Sequence, residues 1–305
     1  MNDRTDLRQR FRSIKTWKSG DQRAPHKPLL LLMALAEVQR GGDRYLAFGS
    51  IRDRFNELSA EFGHPNRPGR LDYPFWRLLN DGGLWDIPER AQIESFGKGI
   101  NRSGDASQRA LIETNARGGF SESVYQQLQA DADLVNDIAG QILDDQFPTS
   151  LHAAILDAVG MPWVMTGRTR QEAERNPRSA NFRPTMIRLY EHRCAMCGFE
   201  CRLGGADLGL EAAHIKWHAA RGPDSPNNGL LLCSIHHLAL DRGAVGISED
   251  RRILVSQHLN GGSGSNQWFV DLSNQPLRMP IDQTAAPASE FIAWHQQEVF
   301  RRPRR

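Results

Sequence analysis

The sequence predicts an α+β protein of two domains, the second closed by a bound metal, and three observations carry that prediction. At 305 residues, 39% of them hydrophobic, the chain is long enough for two ordinary globular cores. Both halves mix apolar runs of helical spacing with short strand-like runs bounded by turn residues. All four cysteines stand between Cys194 and Asp241, where Cys194-Ala-Met-Cys197 and Cys233-Ser-Ile-His236 form a C-x₂-C and a C-x₂-H knuckle separated by 36 positions. Two such knuckles make one tetrahedral S₃N site. Zinc suits it, and four protein ligands leave no open position, so the site is structural. Cys201, four residues after Cys197, is an allowed substitute ligand.

In the first half, His26-Lys-Pro28 leads into Leu29 to Val38, a run apolar on all sides that ends at Gly41-Gly42 and therefore reads as a buried helix. A second helix follows, with Phe48, Ile51, Phe55, Leu58 and Phe62 on one stripe and Gly63 behind it. The stretch His64 to Arg70 is loop. After Tyr73-Pro-Phe-Trp-Arg-Leu-Leu79 and a Gly82-Gly83 turn, Leu84 to Ile87 reads as a strand. Ser95 to Gly104 is a polar, glycine-rich loop carrying Lys98, Asn101 and Arg102. Ser150 to Gly160 is a helix with Leu151, Ile155 and Val159 in phase, and a basic linker over 166–180 follows it. The domains are thus expected at 1–165 and 181–305.

In the second half, Leu210 to Ile215 reads as a short strand that delivers His214 at its end, and Arg221 to Pro226 must be loop. A helix is expected from Ser234 to Arg242, ended by Gly243, on which His237 and Asp241 share a face as i and i+4. His236 points about 100° away from His237 on that helix, so the two histidines can serve different metals. Beyond lie a hairpin from Val245 to Val255 across Glu249-Asp-Arg251, and a last helix capped by Pro287-Ala-Ser289 with Phe291, Ile292, Trp294 and Phe300.

The segments CAMC at 194, LEAAHI at 210, NNGLLLC at 227 and CSIHHLALDRG at 233 make this half resemble the zinc-stapled HNH nucleases over about residues 181–258. The resemblance implies a ββα-metal unit that grips one divalent metal and cuts phosphodiesters. It casts His214, Asn228 and His237 as the catalytic residues. His214, neutral near pH 7, takes a proton from the attacking water, and such catalysis is worth roughly 10²–10⁴-fold. A catalytic Mg²⁺ or Mn²⁺ is expected on His237 with Asp241 or Asn228, unless Asn228 instead pins the loop. The family often has Asp or His immediately before the base, where this chain has Ala213, so one ligand is unassigned. Strand alternation puts Glu211 on the opposite face from His214 and sets it aside.

The first half resembles the sulfur-binding domains of modification-dependent (type IV) restriction endonucleases that cleave phosphorothioated DNA. The segments that carry this are APHKPLLLL at 24 and RLDYPFW at 70, over about residues 10–160. It implies a mixed N-terminal DNA-recognition domain in front of the nuclease. In that family an apolar pocket around a Tyr-Pro pair holds the sulfur that replaces a non-bridging phosphate oxygen. Tyr73 and Pro74 match it, with Trp76 as neighbour and His26 and Lys27 flanking the phosphate. Sulfur is softer than oxygen and less costly to desolvate, so an apolar wall selects it. Lys98, Asn101 and Arg102 are suited to base edges.

Net charge is +2, but residues 1–27 hold eight Lys/Arg against three Asp, whereas 121–160 hold seven acids and no Lys or Arg. The basic arm is therefore expected to face double-stranded DNA and the acidic segment to face away. No signal-type or membrane-type apolar run is present, and four cysteines in a metal-type cluster fit the cytoplasm. A homodimer is an open possibility. The alternatives are an HNH nuclease for another DNA modification or RNA, and a zinc-stabilised binding module without activity.

Overall fold

The computed structural model describes residues 3–14, 25–65, 67, 69–161 and 181–302. The expected linker over 166–180 and the arm residues Lys15, Lys18 and Arg23 lie outside these. Two compact units emerge, Met1–Gln146 with His152–Thr166, and Phe147–Leu151 with Gly167–Arg305. Among the described residues no helix is long and apolar enough to cross a membrane.

The first unit is built round helix α2 (His26–Gln39), following α1 (Asp3–Arg12). As its unbroken apolar run requires, Leu29, Leu30, Leu31, Leu32 and Leu35 are all buried. Strand β1 (Tyr45–Ala47) leads into α3 (Phe48–Phe62), whose expected stripe holds: Phe48, Phe55, Leu58 and Phe62 are buried. The short helix α4 (Asp72–Arg77) precedes β2 (Trp85–Asp86), α5 (Arg90–Ser95), α6 (Gln108–Glu113) and β3 (Arg117–Phe120). The sheet is antiparallel in the order β1-β3-β2, with Tyr45 opposite Gly119 and Trp85 opposite Phe120. Phe48, Phe75, Trp85, Phe120 and Phe11 form a chain of edge-to-face rings 5.2–6.0 Å apart beneath it. Gly118 is required there, because a Cβ would fall 2.8 Å from both the Phe75 ring and the Trp85 indole. Helices α7 (Glu122–Gln129) and α8 (Ala132–Gln146) follow, and α9 (Thr149–Val159) belongs to this unit from His152 on.

The basic arm departs from expectation. Leu7 and Phe11, i and i+4 on α1, are buried, and α1 packs on α8. Arg4 and Arg8 pair there with Asp131 and Asp137, in the acidic segment, and Arg10 donates to the Gly82 carbonyl at 2.9 Å. The apolar pair anchors the helix and opposite charges close over it. A tally of charge by segment does not show that Arg4 and Arg8 pair with that segment.

The second unit opens with α10 (Phe182–Leu189) and a small hairpin of β4 (Arg202–Leu203) and β5 (Ala206–Asp207). Its centre is the antiparallel pair β6 (Leu210–His214) and β7 (Gly229–Cys233), in register from Leu210 opposite Cys233 to His214 opposite Gly229. Helix α11 (Ser234–Asp241) leaves directly from β7 and packs back on both strands, so strand, strand and helix form a ββα unit. The β8 (Val245–Ile247) and β9 (Ile253–Val255) hairpin forms as expected, with Arg251 left-handed at φ 57° in its turn. The last helix, α12 (Ser289–Glu298), starts without a side-chain cap, and the Ala288 N–H is taken by the Asn227 carbonyl. Phe300, expected on that helix, lies past its end and is buried against Gly246.

Candidate functional site

In the second unit, the first knuckle is a tight turn in which Gly198 N–H bonds back to Cys194 O and Ala195 N–H reaches Leu231 O of β7. Cys233 ends β7, and His236 lies one turn into α11. The four ligand atoms of Cys194, Cys197, Cys233 and His236 all lie within 4.8 Å of one another. Tetrahedral zinc would set S···S at about 3.8 Å and S···N at about 3.6 Å. Here Cys197 Sγ is 4.0 Å from Cys233 Sγ, and His236 Nδ1 is 3.7 Å from Cys194 Sγ and 3.1 Å from Cys233 Sγ. The donor set fits the ion. Hydrogen bonds from Cys197 and Cys233 hold the Cys194 thiol far below its usual range, while bonding to Cys194 pushes Cys197 and Cys233 up, so the three sulfurs share one negative charge placed on Cys194. His236 Nε2 donates to Trp268 O at 2.7 Å, which leaves Nδ1 for the cluster. Cys201 is not in the group, so its substitution for Cys197 has no support in the geometry.

The other face of α11 carries His237, and His237 and Asp241 are indeed together, with Nε2 to Oδ2 at 3.2 Å. Glu211 is there as well, its Oε2 2.6 Å from His237 Nδ1 and its Oε1 accepting Ser234 Oγ at 2.8 Å. Setting Glu211 aside is therefore corrected. The alternation itself holds, since His214 meets α10 while Glu211 meets α11. It is α11 that brings His237 and Asp241 to Glu211's side. Burial alone would lower the basicity of His237, but Asp241 and Glu211 outweigh it and push its pKa up to about 10. The constellation holds positive charge, and one imidazole with two carboxylates fits a divalent cation.

His214 ends β6 with its imidazole stacked on Phe182 of α10, ring centres 4.3 Å apart and 12° from parallel. Its Nε2 is 2.9 Å from Asp224 Oδ1, a contact sequence reasoning missed because Asp224 stands in a loop without motif spacing. Burial lowers the His214 pKa and Asp224 only partly opposes it, so His214 is neutral at pH 7. Asn228 has no exposed surface, and its amide is fully engaged with backbone: Oδ1 accepts Lys216 N–H at 2.8 Å, and Nδ2 donates to Lys216 O at 3.0 Å and Pro223 O at 2.9 Å. Of the two roles the sequence left open, this is loop pinning, and its expected place as a metal ligand is corrected. The three bonds clamp the loop 216–223, where Gly222 is needed because a Cβ would sit 1.8 Å from Lys216 O.

In the first unit, Tyr73 is 37% exposed on α4, its ring between the guanidinium groups of Arg70 and Arg77 at 5.3 and 5.1 Å. Each arginine is aimed by a buried carboxylate. Arg70 bonds Asp72 at 2.8 and 3.2 Å, and Arg77 bonds Asp105 at 2.6 and 2.7 Å. A cleft of about 450 Å³ opens beside them, lined by Arg67, Tyr73, Arg77, Asn101, Ser103 and Asp105. Pro74 and Trp76, expected around the sulfur, are both buried on α4, and the Trp76 indole donates to Gly104 O at 2.9 Å and ties the polar loop to α4. Asn101 joins the cleft, although its Oδ1 already accepts Ser103 and Asp105 N–H. Lys98, left-handed at φ 60°, and Arg102 are exposed on the same loop. Lys27 is corrected too, since it pairs with buried Asp81, and half-buried His26 lies under Gly69, whose backbone leaves no room for a Cβ there. Arg77 had a sequence signal, standing four residues after Tyr73 on the same helix face, whereas Arg70 precedes α4 and had none.

Against known families, the profile described as ScoMcrA-like, DNA sulfur-binding domain matches residues 4–163, and the profile described as HNH endonuclease matches residues 194–248. No curated protein matches the chain. Among solved structures, similar ones include the sulfur-binding domain of ScoMcrA complexed with phosphorothioated DNA, at 22% identity over 51% of this chain and 95% of that one, TM-score 0.44. The sulfur-binding domain of SprMcrA with phosphorothioated DNA matches at 21% identity over 52% and 95%, TM-score 0.42. The type IV phosphorothioation-dependent restriction endonuclease ScoMcrA matches at 21% over 50% of this chain and 32% of that one, TM-score 0.42.

Proposed function

The chain belongs to the ScoMcrA-like DNA sulfur-binding domain family and carries an HNH endonuclease domain, which makes it a modification-dependent restriction endonuclease; we propose that the mark it reads is a phosphorothioate in double-stranded DNA. The observation that supports this target is Tyr73, half-exposed between two arginines whose direction is set by buried Asp72 and Asp105. Arginines attract the phosphate, while the aromatic face offers sulfur a soft, poorly hydrating neighbour that an ordinary phosphate oxygen would lose water to approach. Lys98, Asn101 and Arg102 on the adjoining loop would meet base edges or backbone.

Cleavage in this reading belongs to the second unit. His214, neutral and stacked on Phe182, accepts the proton of the attacking water. Asn228 holds the loop beside it. His237 and Asp241 would hold Mg²⁺ or Mn²⁺, with Glu211 against the second imidazole nitrogen; bound there, the ion would neutralise the scissile phosphate and the leaving oxygen. Cys194, Cys197, Cys233 and His236 would hold zinc and anchor the start of α11. A cytoplasmic site of action accords with a cysteine cluster that needs reduced thiols. The test is one assay: cleavage of phosphorothioated, methylated and unmodified plasmid, each with Mn²⁺ and with EDTA. Metal-dependent cutting of the first alone is expected, and preferential cutting of methylated plasmid would overturn the assigned mark.

A further inference from the structure

The catalytic histidine has a partner that the three-residue constellation does not include. We propose that Asp224 is a positioning residue for the base: it accepts the Nε2–H of His214 at 2.9 Å, fixes the ring's rotation and tautomer, and leaves Nδ1 as the proton acceptor. A carboxylate next to a neutral imidazole can only accept, so the proton resides on Nε2. The ring then has two constraints, Phe182 stacked on its face and Asp224 at its edge, and both groups of the pair are largely buried, with side chains 22% and 17% exposed.

The same geometry explains what Asn228 does for catalysis without touching a reacting atom. Its Nδ2 donates to Pro223 O and to Lys216 O while its Oδ1 takes Lys216 N–H, so the residue immediately before Asp224 is tied to the residue two after His214. Ser225 O accepts Asn228 N–H at 2.9 Å on the other side of Asp224. The carboxylate is thus held from both flanks. Asn228 sets the loop, the loop sets Asp224, and Asp224 sets the base.

The inference rests on the reading of His214 as the base, and the experiment separates the two. Full-length wild type, Asp224→Ala and Asp224→Asn are compared in single-turnover cleavage with saturating Mn²⁺, on phosphorothioated and on methylated plasmid, across pH, with DNA affinity measured in parallel. Removal of an orienting partner typically costs 10–100-fold, so Asp224→Ala should cut about 10–100-fold more slowly with affinity unchanged. Asp224→Asn keeps an acceptor but not the charge. It should recover much of the rate, and the acid limb of its pH profile should move to lower pH, because protonated His214 loses a stabilising carboxylate. His218, with its ring 6.2 Å away, and Asp241 on α11 also face His214 and are unchanged in both variants. A merely structural role would not move the limb. Asp224→Ala cutting within about threefold of wild type, or an unmoved limb in Asp224→Asn, overturns the assignment. A wild type that cuts neither plasmid overturns the nuclease reading beneath it.

Discussion

Asn228→Ala distinguishes a loop pin from a metal ligand, and the structure sets the size of the effect. The substitution deletes three hydrogen bonds of 2.8–3.0 Å from a side chain with no exposed surface, and strands one backbone N–H and two carbonyls. A bond lost this way costs about 1–3 kcal/mol per buried group left unpaired, and partial access of water to the opened loop lowers the sum to about 3–5 kcal/mol. Against a typical domain stability of about 5–15 kcal/mol, that is roughly a fifth or more of the second unit's stability. The assay is hydrogen exchange of the zinc-loaded protein without added Mg²⁺ or Mn²⁺, read on peptides covering β6 and β7. Their slowest amides should exchange about 10²–10⁴-fold faster, the equivalent of that free energy. Asn228→Asp sharpens the contrast. A ligand role predicts tighter Mn²⁺ binding for the carboxylate, whereas a pin is broken by an oxygen facing the carbonyls of Lys216 and Pro223. Unchanged exchange in Asn228→Ala, together with a Mn²⁺ affinity that falls tenfold or more, would refute the reasoning.

Purified protein should contain one zinc per chain by elemental analysis, and Cys194→Ser should lose it and the protection of β6 and β7; a zinc-free protein with intact protection would sink the assignment. Tyr73→Ala should weaken binding of phosphorothioated duplex by about 10–100-fold, the worth of a partly desolvated aromatic contact between two cations, and leave unmodified duplex nearly unaffected. Equal losses on both duplexes would show a general DNA contact instead. Because burial keeps the His214 pKa below the ordinary histidine value, the base stays deprotonated as pH falls. With metal saturating, the single-turnover rate should be flat from neutrality downward and fall only below about pH 6.5. A limb centred above 7 would contradict the burial of that ring.

Much of this molecule is legible along the chain, because its strongest signals are local. The all-apolar run of α2, the stripe of α3 and the spacing of the Cys and His knuckles each express one periodicity or one coordination geometry within a few residues. The same locality puts His214 at the end of a strand and His237 with Asp241 on one helix face. What only the tertiary structure decided are the pairings between separate elements. Glu211 reaches His237 because α11 folds back over β6, a contact between residues 26 positions apart. Asp224 meets His214 because Asn228 closes the loop behind it. Lys27, a candidate phosphate contact by position, is committed to Asp81, 54 residues on, and Arg4 and Arg8 are paired with the acidic segment. The reason is physical. A charged or hydrogen-bonding side chain takes its role from the partner that lies within about 3 Å, and in a folded chain that partner is set by packing, not by nearness in sequence.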